Sequence, residues 1–224
     1  MGKHRFEIIL AGLFFGVFFA FSSWYSPGTK LSKAQVDTYI SSFDKNLPWP
    51  VEEKALILQH LRAWGEADDG QPVYMLNLMR YLPELRASPE IAGFKGTPAE
   101  ANAFYEEHVM PILFRLGAYP VFASSMQGVI SGAQPSTNLI TFDPAVDNWS
   151  TVAVVRYPDR TAFFELLNDP EYIKYLPYKA ASVMVGLTPM KGDLVLPLLD
   201  WAVGIALLIL FLSLAWWRAL RRSR

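Results

Sequence analysis

Hydrophobic positions follow two different patterns along this 224-residue chain. Near the two ends, over residues 6–25 and 196–217, they form long and nearly uninterrupted runs. Between these runs they recur every three or four residues, which predicts helices, or every second residue, which predicts strands. The pattern therefore divides the chain into two hydrophobic ends and a folded domain between them.

The middle of the chain contains signals for helices and strands in alternation. Thr97 with Glu100 forms a capping-box pattern that starts one helix, and Asp159 is placed to cap another. We expect an irregularity at Gly128 in the second strand. The predicted helices cover 32–47, about 51–67, 97–118, 159–167 and 171–180, and the predicted strands cover 72–81, 119–131, 149–157 and 182–190.

From residue 72 onward the predicted order is β, α, β, β, α, β. This order is the split βαβ plan of ferredoxin-like α+β domains, an antiparallel sheet with helices on one face. The other face is left uncovered, and an uncovered apolar face is commonly buried against a second copy. The sequence therefore predicts a ferredoxin-like domain that forms a homodimer.

The C-terminal hydrophobic run predicts a transmembrane helix. It is uncharged from Trp201 to Trp217, and with the two leucines before Asp200 it reaches a length that can cross a bilayer. Tryptophans at both edges suit the interfacial aromatic belts. Asp200 follows Pro197 and suits the first helical turn, where the helix dipole favours an anion.

The N-terminal hydrophobic run has two interpretations. Ala20, Phe21 and Ser22 give the small-residue spacing of a signal-peptidase site, which predicts cleavage. Gly12, Gly16 and Ala20 recur every four residues, the spacing that lets transmembrane helices approach each other closely. We favour a retained transmembrane anchor, with cleavage as the alternative.

Basic residues flank both hydrophobic runs on their outer sides. Lys3 and Arg5 precede the first run, and Arg218, Arg221 and further arginines follow the second. Because positive charge marks the cytoplasmic side, both termini are predicted to be cytoplasmic if the first run is retained. The domain between the runs then lies outside, in a bacterial periplasm or on the outer face of the cell membrane.

Composition excludes several classes of function. The chain has no cysteine, which removes disulfides, thiol nucleophiles and Fe–S clusters, and its formal net charge of −1 gives no basic surface for nucleic acid. The three histidines, at positions 4, 60 and 108, are too scattered to predict a zinc site. We therefore expect no metal and no cofactor.

Three segments resemble the DUF1330 family, a branch of the dimeric α/β-barrel superfamily. They are PVYMLNLMRY, AFYEEHVMPIL and WSTVAVVRYPDRTAFFELLNDPEY, within a similarity that covers about residues 68–190. The resemblance implies a ferredoxin-like dimer whose two sheets face each other, with monooxygenases, isomerases and haem enzymes among the wider relatives. Where the family often has His-Arg, this chain has Tyr178 and Lys179, and its connection over 131–148 is longer than usual and is expected to form a flap.

Asn77 and Arg156 are the polar residues that stand out in the resembling strands. If both point into the dimeric barrel, they form a polar patch suited to a small acidic or carbonyl-bearing ligand. The alternative is a structural network in which Arg156 pairs with an acid at the interface. Tyr105 and His108 complete the candidate ligand-binding set, although a core position suits Tyr105 and a surface or helix-end position suits His108.

These observations predict a membrane-anchored, extracytoplasmic domain that dimerises. Its expected role is to bind a small molecule or to act as an accessory subunit, within a larger membrane complex if a membrane-protein partner exists. The alternative is an enzyme of the dimeric α/β-barrel type, similar to a monooxygenase or an isomerase, acting on a small acidic or carbonyl-bearing substrate. No residue pattern in the chain is a catalytic signature.

Overall fold

The computed structural model describes residues 5–26, 28–46, 51–131, 136–140, 143–195 and 199–222. Within these ranges lie seven α-helices and four β-strands. They are α1 (Arg5–Tyr25), α2 (Lys33–Asn46), α3 (Val51–Glu66), β1 (Val73–Tyr81), α4 (Pro98–Arg115), β2 (Tyr119–Ser125), β3 (Thr151–Tyr157), α5 (Arg160–Asn168), α6 (Pro170–Ser182), β4 (Val183–Met190) and α7 (Leu199–Arg222).

The four strands form one sheet in the order β2-β3-β1-β4, and every neighbouring pair is antiparallel. Helix α4 connects β1 to β2, and helices α5 and α6 connect β3 to β4. This is the predicted ferredoxin-like α+β plan, and it is confirmed. The irregularity in β2 lies between Pro120 and Phe122 rather than at Gly128, because the register with β3 shifts there by one residue.

One face of the sheet, here called the covered face, packs against the helices. Val73, Met75 and Met79 alternate along β1 and are 5%, 3% and 2% exposed. The first two join a single core cluster with Val109 of α4 and Leu176 of α6. Burial of each such side chain contributes about 1.5–3 kcal/mol, so the alternation along β1 fixes which face meets the helices.

Short polar caps begin the helices of this layer. The Thr97 side chain accepts from the Glu100 backbone N–H, and the Glu100 carboxylate accepts from the Thr97 N–H, which confirms the capping box. The Asp159 carboxylate accepts from the Ala162 N–H at the start of α5, as expected. These bonds satisfy donors that a helix N-terminus leaves unpaired.

The segment before β1 packs onto α5 as part of the same body. Leu31, Val36, Ile40 and Phe164 form a second buried cluster. Asp68 is fully buried, accepts from the Leu31 N–H at 2.7 Å and lies 3.3 Å from the Arg160 Nε. Helices α2 and α3 therefore extend the helix layer.

The opposite face of the sheet, here called the open face, carries apolar side chains that the helix layer does not cover. Leu76, Leu78, Val152 and Val154 on this face are half-buried, and Phe122 is 54% exposed. The neighbouring helices pack on the other side, so this face keeps an apolar surface of the kind that mediates association.

The expected flap, residues 131–148 of the connection between β2 and β3, is attached at one end of the open face. Arg80 of β1 donates from Nη1 to the Asp147 carbonyl at 3.0 Å, which explains an arginine in this strand. The Asp147 carboxylate accepts from Ser136, Thr137, Asn138 and Asn148. The bonds from the Asn148 N–H, then from Ser136 and Thr137, lower its pKa. Residues 132–135 and 141–142 of the expected flap lie outside the described residues.

The chain forms two compact units, Met1–Lys191 and Gly192–Arg224, and α7 belongs to the second. Within the described residues, one helix passes a length and composition test for a membrane span: Ile8–Tyr25 of α1, with mean hydropathy 1.9 and none of it buried. The apolar part of α7, Gly204–Arg218, is shorter. Two membrane spans therefore remain a prediction, and Lys3, Pro197 and Arg224 lie outside the described residues.

Candidate functional site

Asn77 lies on the covered face of the sheet, within the helix–sheet core. It alternates with Met75 and Met79, is 7% exposed, and is paired across the sheet with Ala153 and Leu187. The expectation that it faces a dimer cavity through the open face is therefore wrong. The apolar residues on either side of it pack against α4 and α6, and the strand alternation takes Asn77 with them.

The partner of Asn77 is Lys179 on α6. The Lys179 Nζ donates to the Asn77 Oδ1 at 2.9 Å, and the Asn77 Nδ2 donates to the Met75 carbonyl at 3.1 Å. The same ammonium lies 5.2 Å from the centroid of the Tyr105 ring. An amide oxygen and an aromatic face thus hold a lysine between the helix layer and the sheet.

The charge of Lys179 is only weakly compensated. None of the ion pairs found among the described residues includes this lysine. Burial lowers its pKa to about 8, from a usual value of 10.5, while the charge of Glu106 acts in the opposite direction. A large part of the Lys179 population is therefore a neutral amine at mildly alkaline pH.

Tyr105 adds a phenol that stays protonated. It is 7% exposed, and its ring lies 6.1 Å from that of Tyr172, with which it shares a hydrogen bond. Burial, followed by the neighbouring Tyr172, raises the pKa of Tyr105 well above the ordinary value. The phenol is therefore neutral at any physiological pH and acts through its hydroxyl group.

Asn102 of α4 is connected to this group through Glu106, whose charge acts on Lys179. It lies one helical turn before Tyr105 and is 1% exposed. Its Nδ2 donates to the Glu106 carboxylate at 2.8 Å, and its side chain also forms a hydrogen bond with Tyr81. Its Oδ1 has no hydrogen-bond partner among the described residues. A buried acceptor without a donor costs about 1–3 kcal/mol, so Asn102 is a further place where a ligand donor would be stabilised. We call Asn77, Asn102, Tyr105 and Lys179 the polar cluster.

His108 lies outside the polar cluster. Its Nδ1 is 2.8 Å from the Phe104 carbonyl, and its ring stacks on Tyr175 with centroids 4.3 Å apart. Because a carbonyl oxygen only accepts, this contact places the proton of the neutral ring on Nδ1. The histidine therefore belongs to an aromatic group on the helix layer. No group of three or more metal-binding side chains is found within the described part of the chain.

Arg156 lies on the open face, opposite to Asn77. Arg156 pairs across the sheet with Tyr74, and its side chain lies on the same face as that of Tyr74. Because side chains alternate between the faces along a strand, Asn77 lies on the face opposite to Tyr74 and therefore opposite to Arg156. The expectation that Asn77 and Arg156 converge in one cavity is therefore wrong. Within the described part of the chain Arg156 forms no ion pair, and an acidic partner at a dimer interface stays a prediction.

The contacts of Arg156 are made with the end of α1. It is 1% exposed, and its Nη2 donates to the Tyr25 carbonyl at 2.9 Å. The guanidinium carbon lies 3.7 Å from the centroid of the Tyr25 ring and 5.9 Å from that of Tyr119. Its Nε and Nη1 have no hydrogen-bond partner in the described part of the chain. The aromatic rings of Tyr25 and Tyr119 therefore supply most of the electrostatic stabilisation of the Arg156 charge.

Sequence reasoning placed Asn77 and Tyr105 in the candidate set but left out Lys179 and Asn102. A signal for Lys179 is present in the sequence, because Tyr172, Leu176 and Lys179 follow helical spacing on the buried face of α6. A lysine that continues an apolar stripe is directed toward the core. Asn102 carries a similar signal, since it lies beside the buried Ala101 in α4.

Comparison with known proteins finds similar solved structures but no matching family. No family model and no curated protein matches the chain. The RPA0582 protein of unknown function from Rhodopseudomonas palustris is 28% identical, with 66% of this chain and 97% of that chain covered and a TM-score of 0.49. SnoaB, a cofactor-independent oxygenase from Streptomyces nogalater, is 14% identical, with 57% and 99% covered and a TM-score of 0.35. Because both TM-scores lie below 0.5, the fold assignment stands on the strand order and register described above.

Proposed function

We propose that this protein is a membrane-anchored, extracytoplasmic domain that dimerises and binds a small acidic or carbonyl-bearing molecule at the polar cluster. The ligand would lie between the sheet and the helix layer, against Lys179, Asn77 and Tyr105. This location replaces the open face that the sequence suggested. His108 and Arg156 are not part of the proposed binding site.

The observation that carries this proposal is the weakly compensated ammonium of Lys179. Lys179 is half-buried, and a cation withdrawn from water without a carboxylate partner is costly. Groups of this kind are concentrated at sites where a ligand or a reaction uses them. The hydrogen bond that the Nζ donates to the Asn77 Oδ1 fixes the position of the Nζ but supplies no negative charge. A carboxylate would supply that charge, so a small acid is the ligand class that this site favours.

A carbonyl group suits the same site for a second reason. The lowered pKa of Lys179 gives a neutral amine that can attack a carbonyl carbon or accept a proton. The Tyr105 hydroxyl and the Asn77 amide are neutral groups that can orient a polar ligand by hydrogen bonds. A small keto acid combines both features and is the ligand that we would test first.

Membrane anchoring and dimerisation are supported by other parts of the chain. Helix α1 contains an 18-residue apolar stretch without buried residues, and basic residues flank both hydrophobic ends. The open face carries half-buried aliphatic side chains that a second copy would cover, as in the dimeric α/β-barrel arrangement that the resemblance implies. Together these features favour a periplasmic or otherwise external dimer held at the membrane.

An enzymatic role is a second candidate, and Lys179 is the observation that favours it. An amine with a pKa of about 8 can serve as a general base or form an imine with a carbonyl substrate. Abstraction of a proton next to a carbonyl, as in an isomerase, is the reaction class that such a base suits. Tyr105 would then hold the substrate oxygen through its neutral hydroxyl group.

Native mass spectrometry of the detergent-purified chain tests this proposal. We expect the wild type to appear as a dimer that retains Met1 and carries a small molecule, and Lys179→Met to lose that molecule. Lys174→Met is the matched control, because Lys174 lies on the same helix but its side chain is 62% exposed. Equal retention by Lys179→Met and the wild type would contradict the proposed site. A dimer without any retained molecule would favour the accessory role.

A further inference from the structure

We infer that the C-terminal end of α4 and the start of β2 lie directly on the bilayer surface, and this inference rests on the proposed membrane anchoring by α1. We call Trp24, Phe114, Arg115 and Tyr119 the membrane-contact surface. The partner is a lipid bilayer at the level of its head groups. The basis is the way in which the last residues of α1 are fastened to the domain.

The first connection joins α1 to the end of α4. The Trp24 Nε1 donates to the Phe114 carbonyl at 2.8 Å, and the Trp24 ring stacks on Tyr119 with centroids 5.7 Å apart. Gly117, with φ of +71°, lies so close that a Cβ at this position would be 2.7 Å from the Trp24 carbonyl oxygen. A residue with a side chain would force the two elements apart.

The second connection joins α1 to the open face of the sheet. Arg156 holds Tyr25 through its carbonyl and its ring, as described above. Shortly afterwards the Gly28 N–H donates to the Asp159 carboxylate at 2.6 Å. Trp24 and Tyr25 thus belong both to the apolar helix and to the folded domain.

This fastening fixes the depth of the domain in the membrane. The apolar stretch Ile8–Tyr25 has 18 residues, which at 1.5 Å per residue gives about 27 Å, close to the thickness of the hydrocarbon core. Trp24 and Tyr25 at its end would then occupy the interface, where such aromatic residues are enriched. Phe114, one hydrogen bond away from Trp24, must lie at nearly the same level.

The chemistry of the membrane-contact surface suits this position. Phe114 is 48% exposed, and this exposed aromatic side chain ends a helix beside the membrane-facing tryptophan. The Arg115 side chain is 62% exposed and reaches Asp169 in an ion pair, so its guanidinium lies where lipid phosphates would also be within reach. Aromatic side chains beside an exposed cation are typical of surfaces that contact head groups.

Single-cysteine labelling of the full chain tests this inference, because the natural sequence has no cysteine. A nitroxide would be attached to each of the variants Phe14→Cys, Phe114→Cys and Leu139→Cys, reconstituted in phosphatidylcholine–phosphatidylglycerol vesicles. The rates at which the nitroxide collides with oxygen and with an aqueous nickel chelate would then be measured. Leu139 is 92% exposed and belongs to the flap, which joins β3 at the end opposite to Arg156. Seven strand residues separate these ends by about 20 Å.

We expect nickel collisions at position 114 to fall several-fold below those at position 139 and to approach those at position 14. If position 14 is protected and position 114 is as accessible as position 139, the inference is overturned while the anchoring stands. If position 14 is accessible to nickel, the proposed anchoring fails and the inference fails with it. Arg115→Cys provides a second label on the same surface if Phe114→Cys does not fold.

Discussion

Lys179 and Asn77 meet between the helix layer and the sheet, where the lysine Nζ donates to the amide oxygen at 2.9 Å. The two residues are separated by 102 positions in the sequence. Lys179 belongs to none of the ion pairs among the described residues. Asn77 therefore serves as the hydrogen-bond acceptor for a half-buried lysine, and that lysine is the main candidate for function.

The first prediction concerns Asn77. Asn77→Leu removes the acceptor for the Lys179 Nζ and should lower the free energy of unfolding by about 1–3 kcal/mol. Asn77→Asp keeps an acceptor and adds a compensating charge, so it should lose less stability and raise the pKa of Lys179. Urea denaturation followed by tryptophan fluorescence measures both. A leucine variant as stable as the wild type would show that the hydrogen bond does not matter.

The second prediction concerns the pH dependence of stability. The folded state holds Lys179 with a pKa of about 8, and the unfolded chain holds it near 10.5. Between these values the unfolded state binds more protons, so the free energy of unfolding should rise with pH, by at most about 1.4 kcal/mol per pH unit. The rise should appear in the difference between the wild type and Lys179→Met. A constant difference between pH 7 and 10.5 would contradict the lowered pKa.

The third prediction separates Arg156 from the ligand site. Arg156→Gln removes the cation that contacts Tyr25, a contact worth about 2 kcal/mol when it is shielded from water. Backbone amides of residues 22–26 should then exchange hydrogen faster, by a factor of about 5–30. Ligand retention at Lys179 should not change, because the two residues are on opposite faces. Loss of the ligand in Arg156→Gln would contradict this separation.

The fourth prediction concerns dimerisation through the open face. Val152→Asp places a carboxylate among the aliphatic side chains of this face, and burying it unpaired would cost several kcal/mol. The variant should be monomeric at concentrations where the wild type is a dimer, as measured by analytical ultracentrifugation in detergent. Ser125→Asp is the control, since Ser125 is exposed and belongs to the other face of the sheet. Equal dissociation of both variants would remove the open face as the interface.

Local patterns predicted most of the fold. The alternation in β1, the Thr97 capping box and the Asp159 cap all correspond to structure, because each depends on neighbours only a few residues away. Residue type predicts the irregularity of β2 at Gly128, whereas the structure has it beside Pro120, which has no N–H for the ladder. The missing backbone N–H of Pro120 therefore indicates the position of the bulge better than the presence of Gly128 does.

The candidate site was less predictable, because it depends on which face of the sheet the helices cover. The alternation along β1 correctly predicts which side chains share a face with Asn77. It does not predict whether that face or the other one packs against α4 and α6. Whether Asn77 and Arg156 lie on the same face of the sheet depends on the register of β1 with β3. This register joins residues far apart in the sequence, so local patterns do not predict it. Lys179 stands out in the sequence as a departure from the family pattern, and its place on the apolar stripe of α6 directs it toward the core.

The most direct test of the Lys179 site is reductive trapping with pyruvate and cyanoborohydride at pH 8. A neutral lysine amine and the pyruvate carbonyl form an imine with loss of water, and hydride from cyanoborohydride reduces it to a stable secondary amine. Peptide mass spectrometry of the full chain should show Lys179 modified before Lys33, whose side chain is 77% exposed, and Asn77→Leu should slow the modification. Modification of Lys33 ahead of Lys179 would contradict a reactive amine that accepts a carbonyl ligand at the polar cluster.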